Sequence, residues 1–110
     1  MRADTGARLD LRDDHLHIVM SILADVIPGV EVRAFGSRVL GTAKRCSDLD
    51  LVVVGASRLD WKSMARLKAV FEESDLPFRV DILDWHAIPE HFRATIAQRY
   101  EVIQGTASNG

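Results

Sequence analysis

The sequence predicts an α+β (α/β) domain in which a small mixed sheet is flanked by helices, with the element order α-β-β-α-β-α. Three observations support this prediction. Apolar residues recur at helical spacing in three segments, they alternate with polar residues in two, and one short run is continuously apolar. The 110 residues leave room for one ordinary core. We therefore expect a single domain over residues 1–110, with its core at about 13–103 and a polar tail at 105–110.

The first half of the chain is predicted to form a helix and two strands. Apolar residues recur every three or four positions from Asp13 to Ile27, and Pro28-Gly29 ends this helix. Alternation from Val30 to Phe35 indicates the first strand. The apolar run from Leu49 to Val54 indicates a central strand that is covered on both faces. Residues 36–47 are expected to form a loop, with room for one short helical turn.

The second half is predicted to form a helix, a strand and a last helix. Asp60 can cap the helix that follows it, and Leu76-Pro77 ends that helix. The side chains that this helix is expected to turn toward the core are Trp61, Met64, Leu67, Val70 and Phe71. Alternation from Phe78 to Leu83 indicates the third strand. The last helix is expected from about Pro89 to Ile103, and its buried side chains would be Phe92, Ile96, Tyr100 and Ile103.

Asp48 and Asp50 stand one residue apart where the central strand begins. Side chains alternate across a strand, so both carboxylates share one face, where like charges resist joint ionisation. Asp81 lies within the third strand and joins them if that strand is next to the central one. Mg²⁺ combines a few carboxylates with phosphate oxygens and water. We therefore expect Asp48, Asp50 and Asp81 to hold one or two Mg²⁺ ions, as in catalysis of phosphoryl or nucleotidyl transfer.

The loop before these aspartates has the composition of a phosphate site. Gly36 has no Cβ and lets the backbone approach a phosphate, while Ser37 offers a hydroxyl and an N–H group. Arg38 and Lys44 are the cations expected to hold a nucleotide triphosphate, with Arg45 beside Lys44. A Gly-Ser pair alone is weak evidence. Followed by Asp-x-Asp and a later strand aspartate, it is a specific signal for nucleotide chemistry.

Plainer interpretations of the same residues stay open at this point. Asp48 and Asp50 are also compatible with a solvated strand edge that caps the preceding loop. Asp81 is also compatible with an exposed strand face, where Arg79 would pair with it. Ser37 is equally a residue type that caps turns. Arg38 and Lys44 could be solvated surface cations.

The overall composition excludes several classes of function. A net charge of −2 and a pI near 6.0 argue against binding a long nucleic acid. Cys46 is the only cysteine, so the chain forms no intrachain disulfide and no zinc cluster of thiols. No apolar run approaches the ~18 residues of a membrane span, and the N-terminus lacks the order of a signal peptide. A cytoplasmic protein without a membrane partner is expected.

The motifs together resemble a known signature. Residues 36–41 (Gly-Ser-Arg-Val-Leu-Gly) and 47–51 (Ser-Asp-Leu-Asp-Leu) look like the signature of the polymerase-β-like nucleotidyltransferase superfamily. The closest branch is its minimal, stand-alone one, the MNT-domain family, and the resemblance covers about residues 13–103. It implies that fold, Mg²⁺ ligation by the three aspartates and triphosphate binding by the Gly-Ser pair. In that family the counterpart of Asp81 is usually the general base or its metal-bound helper.

The resemblance also implies a partner and a reaction. Minimal members are commonly encoded beside a small helical HEPN-domain protein. In the best understood pairs that protein is an RNase toxin, and the nucleotidyltransferase is an antitoxin that moves AMP from ATP to a toxin tyrosine. The resemblance therefore implies ATP or another NTP as substrate and a HEPN-domain protein in a hetero-oligomer. The alternative is a non-catalytic nucleotide- or metal-binding module that neutralises a partner by covering it.

Overall fold

A computed structural model describes residues 9–43 and 47–106 of the chain. Helices and strands alternate along it, and they are α1 (Asp13–Val26), β1 (Glu31–Phe35), α2 (Ser37–Leu40), β2 (Leu49–Val54), α3 (Trp61–Glu72), β3 (Val80–Asp84), α4 (Glu90–Gln98) and β4 (Glu101–Gln104). The four strands form one mixed sheet in the order β3-β2-β1-β4. Strand β1 pairs antiparallel with β2 and β4, whereas β2 and β3 run parallel. None of the helices in these ranges is long and apolar enough to cross a lipid bilayer.

Helices α1 and α3 cover one face of the sheet, and this interface is the main core. Its fully or nearly fully buried members include Val19, Leu23, Leu67 and Phe71 from the helices and Val32, Leu49, Leu51 and Val53 from the strands. Alternation turns the residues between these strand positions to the opposite face. Helix α4 covers part of that second face, where Phe92 packs edge-on against Phe35 with ring centroids 5.9 Å apart. Asp50 is paired with Phe35 across β1 and β2, so it belongs to the same, only partly covered face.

The predicted helices and strands of the first three-quarters of the chain are confirmed with small changes at their ends. The loop between the first two strands contains the single helical turn α2, and the third strand begins at Val80 rather than at Phe78. The predicted cap is present: Asp60 accepts a hydrogen bond from the backbone N–H of Ser63 at 3.0 Å. The acidic side chain thus satisfies one of the N–H groups that the first turn of α3 leaves unpaired.

Removing this cap should lower stability measurably. We expect Asp60→Ala to reduce the free energy of unfolding by about 1 kcal/mol, since the Ser63 N–H loses its acceptor. Urea denaturation checks this value. Asp25→Ala is the matched control, because Asp25 is an exposed carboxylate whose ion pair with Arg66 is long, at 3.9 Å. Such a surface ion pair contributes little, so equal losses in the two variants would contradict the assigned cap.

The structure corrects the prediction for the last segment. The predicted helix from Pro89 to Ile103 ends at Gln98, and residues 101–104 form the edge strand β4 beside β1. Ile96, Tyr100 and Ile103 continue a helical spacing, which is why the sequence suggested a helix. Pairing with β1 prevails because it satisfies the backbone groups on the free side of that strand, and Ile103 is still buried. The element order is therefore α-β-α-β-α-β-α-β.

Trp61 is a second correction. It was expected in the core, but 75% of its surface is exposed at the first position of α3. Leu67 and Phe71 on the same helix are buried as expected. A helix turns by about 100° per residue, so position 61 lies about a third of a turn around the axis from Leu67. Spacing alone therefore placed Trp61 too close to the buried face.

Candidate active site

The pairing of β2 with β3 brings two of the predicted aspartates together. Asp50 is directly opposite Asp81 in the parallel register. Neighbouring strands lie about 4.8 Å apart and side chains at paired positions share a face, so the two carboxylates project side by side. Asp48 is two residues before Asp50 and precedes β2 by one position. The expected neighbourhood of the three aspartates is confirmed, while their ligand roles stay predictions.

The position of Asp50 is electrostatically unfavourable for a bare carboxylate. Its side chain is half-buried, and this burial, together with the negative charges of Asp81 and Asp48, raises the pKa of Asp50 from 3.8 to about 6. Burial is the largest of these causes. A nearby cation would reverse both effects, because it stabilises the ionised form. The strands thus create a site that favours positive charge.

The donor set fits Mg²⁺ as an incomplete coordination shell. No three His, Cys, Asp or Glu side chains in residues 9–43 and 47–106 are already gathered in metal-binding geometry. Asp48 and Asp81 are exposed and Asp50 is half-buried. Mg²⁺ is usually held by one or two carboxylates and keeps its other positions for water and substrate phosphates. The aspartates therefore fit an ion that arrives with a nucleotide.

Gly36 lies directly against the carboxylate of Asp50. Its backbone angles are φ 82° and ψ −154°, a combination that is essentially restricted to glycine. A Cβ at this position would overlap Oδ2 of Asp50, and it would lie 3.2 Å from Cγ of the same side chain. The backbone of the predicted phosphate loop therefore passes within contact distance of the predicted metal-binding carboxylate. No residue with a side chain fits there without displacing Asp50.

The short helix α2 fixes the loop that follows Gly36. The N–H groups of Val39 and Leu40 both donate to the carbonyl oxygen of Gly36, at 3.0 and 2.9 Å. Gly41 ends the turn with a left-handed backbone and donates to the carbonyl oxygen of Ser37 at 3.1 Å. Ser37 is thus held at the start of the turn, next in the chain to the glycine that contacts Asp50. Its contact with phosphate stays a prediction.

Of the other two predicted nucleotide-binding residues, Arg38 and Lys44, the structure describes only Arg38. Arg38 is 94% buried, and its Nε and Nη2 atoms donate to the carbonyl oxygen of Ser47 at 3.0 and 2.8 Å. Its Nη1 atom donates to the carbonyl oxygen of Asp10 at 2.8 Å. The prediction that Arg38 contacts phosphate is at odds with this placement, because its N–H groups are committed to the protein backbone. Lys44, with Arg45 and Cys46, lies outside the described residues.

Sequence reasoning missed the contact that Phe78 makes near the site. The sequence indicated Phe78 only as the first residue of the third strand, yet its ring centroid lies 4.5 Å from the guanidinium carbon of Arg38. The one feature of the sequence that placed Phe78 near the site was its position three residues before Asp81. Asp84, at the end of β3, accepts hydrogen bonds from the N–H groups of His86 at 2.9 Å and Leu59 at 2.8 Å. Asp84 therefore holds the turn after β3 and is separate from the site carboxylates.

An open cleft of about 700 Å³ runs along the edge strand β3. Asp48 and Asp81 line it, together with Lys68 and Glu72 of α3 and Arg79 beside β3. The space for a ligand is therefore next to two of the three aspartates. Because β3 is the last strand on this side of the sheet, a large partner can approach the cleft from solvent.

Residues 30–108 match the family described as polymerase beta, nucleotidyltransferase. The chain belongs to this nucleotidyltransferase family. The matched range includes the Gly36-Ser37 pair and all three site aspartates. The family and the fold class expected from the sequence are thereby confirmed, and the enzyme class is that of a nucleotidyltransferase.

Similar proteins include a described adenylyltransferase and members of toxin–antitoxin complexes. A protein of Haemophilus influenzae described as probable protein adenylyltransferase MntA is 50% identical over 98 residues, which are 89% of this chain and 86% of that protein. The crystal structure of a toxin–antitoxin with AMP-PNP superposes with a TM-score of 0.68 at 27% identity, over 86% of this chain and 75% of that one. The crystal structure of a mutant of the toxin–antitoxin MntA-HpeT, with two aspartates changed to glutamate, superposes with a TM-score of 0.68 at 25% identity. The match covers 83% of this chain and 73% of that one.

Proposed function

We propose that the chain transfers AMP from ATP, with Mg²⁺, to a hydroxyl group of a partner protein. The partner would be a HEPN-domain toxin, and the chain its antitoxin. The observation that carries the proposal is the register of β2 and β3, which sets Asp50 opposite Asp81, with Gly36 against the Asp50 carboxylate. This arrangement joins a phosphate-binding backbone to a carboxylate cluster, and nucleotidyl transfer requires both.

Each residue of the cluster has a distinct task in this reaction. In this reaction Gly36 and Ser37 would hold the triphosphate, and Asp48 and Asp50 would hold Mg²⁺. Bound Mg²⁺ neutralises negative charge on the reacting phosphates. Asp81 is exposed on the edge strand, where an incoming hydroxyl group can reach its carboxylate. Stabilising charge and aligning the reactants are the main contributions that phosphoryl-type transfers ask of a protein.

The covalent change is a displacement at the α-phosphorus of ATP. The acceptor oxygen forms a bond to that phosphorus, and the bond to the oxygen that bridges the α- and β-phosphates breaks. Pyrophosphate leaves, and the proton of the acceptor hydroxyl passes to the carboxylate of Asp81. The product is an AMP ester of the partner's hydroxyl group. No oxidant or further reactant is needed.

Similar proteins support this choice of nucleotide and partner. The Haemophilus relative is described as a probable protein adenylyltransferase, and the toxin–antitoxin at 27% identity was crystallised with AMP-PNP, an analogue of ATP. In the MntA-HpeT mutant, the two altered aspartates are two positions apart, which is the spacing of Asp48 and Asp50. ATP, rather than another NTP, and a toxin acceptor are therefore the first choices to test.

The amount of this chain needed to silence the partner distinguishes a catalytic antitoxin from one that only covers the partner. The partner's RNase activity would be measured after incubation with ATP, Mg²⁺ and this chain at a small fraction of the partner's concentration. We expect wild type and Asp25→Asn, which changes an exposed carboxylate on α1, to silence the partner, and Asp48→Asn to fail. Silencing that needs equimolar protein and survives in Asp48→Asn would contradict the proposal and support a covering module.

A further inference from the structure

Arg38 links three segments of the chain from a buried position. Arginine is rarely this buried unless its N–H groups are paired, and here they are. Two of them donate to the carbonyl oxygen of Ser47 and one to that of Asp10. The backbone adds another link, because the N–H of Asp10 donates to the carbonyl oxygen of Arg38 at 2.6 Å. Helix α2 is thereby joined to the segment before α1 and to the end of the loop before β2.

A fourth segment reaches the same guanidinium through an aromatic ring. The guanidinium carbon of Arg38 lies 4.5 Å from the ring centroid of Phe78, within the range of a cation–π contact. His15 of α1 packs edge-on against the same ring, with centroids 5.6 Å apart. Phe78 precedes Asp81 by three residues, so the ring fixes the approach of the chain to β3. In this contact the guanidinium is buried, while the ring of Phe78 is partly exposed.

We propose that Arg38 is a positioning residue that sets the phosphate loop at a fixed distance from the site aspartates. It is adjacent in the chain to Ser37, it binds the carbonyl of the residue that adjoins Asp48, and its stacking partner leads into the strand of Asp81. One rigid group therefore spans all three parts of the site. The inference rests on the proposed function, and it gives Arg38 a role without contact to substrate.

The planar fork of arginine is essential to this role. Its N–H groups leave one rigid plane in fixed directions, so two carbonyl groups on different segments can be held at once while the face of the plane lies over a ring. The ammonium group of lysine keeps the positive charge but lacks both the fork and the plane. Arg38→Lys therefore removes the geometry and preserves the charge, which makes it the informative variant.

The experiment compares Arg38→Lys with wild type and with Arg93→Lys. Arg93 is the matched control, since its Nε donates to the carbonyl oxygen of Trp85 at 2.8 Å and its guanidinium carbon lies 5.8 Å from the Trp85 ring. Amide hydrogen exchange would be followed over residues 36–43 and 47–50 in the free protein. Label transfer from ATP to the HEPN-domain partner would then give kcat and the KM for ATP.

We expect Arg38→Lys to speed exchange at least tenfold over 36–43 and 47–50 and to leave β1 and β4 unchanged. Its kcat should fall by about 10²-fold with little change in KM, because a displacement near 1 Å in a reacting group has an effect of that order. Arg93→Lys should change neither value. A folded Arg38→Lys protein with wild-type kcat overturns the inference, and so does unchanged exchange. If exchange is faster in Arg38→Lys but the wild-type protein transfers no label from ATP, the result instead refutes the proposed function.

Discussion

Replacing Asp50 by asparagine is expected to lower AMP transfer by on the order of 10³-fold or more, because the carboxylate at the centre of the site loses its charge. Asparagine keeps the size of the side chain and its fit against Gly36, so the fold is expected to survive. The loss should appear in kcat and in the Mg²⁺ concentration needed for half-maximal rate. The measurement is the initial rate of label transfer from ATP at several Mg²⁺ concentrations.

The same substitution should stabilise the metal-free protein at neutral pH. In the folded state the pKa of Asp50 is raised from 3.8 to about 6, so the folded state binds more protons than the unfolded state between these values. Stability then falls as the pH rises through this window and stays lower above it. The full change corresponds to about 3 kcal/mol. Since the side chain is half exposed, solvent screening reduces the expected gain of Asp50→Asn to about 1 kcal/mol.

Urea denaturation at pH 4 and pH 7.5 without Mg²⁺ tests this gain. The free energy of unfolding of Asp50→Asn should exceed that of wild type at pH 7.5, and this difference should shrink toward pH 4. Added Mg²⁺ with an ATP analogue should reduce the difference in free energy of unfolding between the two proteins, because it stabilises wild type alone. Identical pH dependence in the two proteins would show that Asp50 is not held in an unfavourable place. A variant that is both less stable and fully active would refute the assigned role.

Placing alanine at Gly36 is the second change with a large expected effect. The new Cβ would overlap Oδ2 of Asp50, and the φ of 82° with ψ of −154° is strained for any L side chain. We expect Gly36→Ala to cost about 2–3 kcal/mol of stability, from backbone strain and from the forced movement of Asp50. Transfer should fall by about 10²-fold or more even where the protein is folded, because the carboxylate is displaced from the phosphate loop.

Gly41→Ala provides the matched control for this prediction. Gly41 ends α2 with a φ of 83°, and no atom lies within 4 Å of the position that its Cβ would take. This variant should lose about 1 kcal/mol from the left-handed backbone alone and keep near wild-type activity. Thermal unfolding and label transfer are measured for both variants at a temperature where each is folded. Equal activity in the two would mean that the contact between Gly36 and Asp50 has no part in catalysis.

The central part of the fold was predictable because its signals are local. The run from Leu49 to Val54 and the alternation from Phe78 to Leu83 indicated two strands without reference to the rest of the chain. Their parallel pairing then brought Asp81 opposite Asp50, as the interpretation of the carboxylates required. Asp60 likewise acts within one turn of its own helix. Each of these features depends on residues that are near in sequence or on a single strand pair.

Strand β4 was not predictable in the same way. Residues 101–104 pair with β1, which is about 70 positions earlier in the chain, so the stabilising partner is invisible to local spacing. The helical spacing of Ile96, Tyr100 and Ile103 was real but misleading. The ring centroid of Tyr100 instead lies 4.4 Å from the guanidinium carbon of Arg33, a residue of β1 that is equally distant in the sequence.

The placement of the candidate carboxylates and of Gly36 could be predicted from the sequence, but the contacts of Arg38 could not. Asp48, Asp50 and Gly36 belong to a compact motif whose chemistry follows from residue type. Arg38 stands in the same motif, and its charge suggested a phosphate contact. Its actual partners are the carbonyl groups of Ser47 and Asp10, and the second of these lies 28 positions away. A positive charge in a loop does not reveal such distant backbone partners, so these contacts of Arg38 could not be predicted from the sequence.

The most direct test of the account is transfer of label from ATP to the partner. The chain and the HEPN-domain protein would be incubated with Mg²⁺ and ATP labelled at the α-phosphate, beside reactions with γ-labelled ATP, with EDTA and with Asp48→Asn. We predict α-label on a hydroxyl of the partner in the wild-type reaction alone, with the acceptor located by mass spectrometry. γ-Label on the partner would indicate phosphoryl transfer instead. No label from either ATP, with the partner bound and silenced, would contradict nucleotidyl transfer as the function of this site.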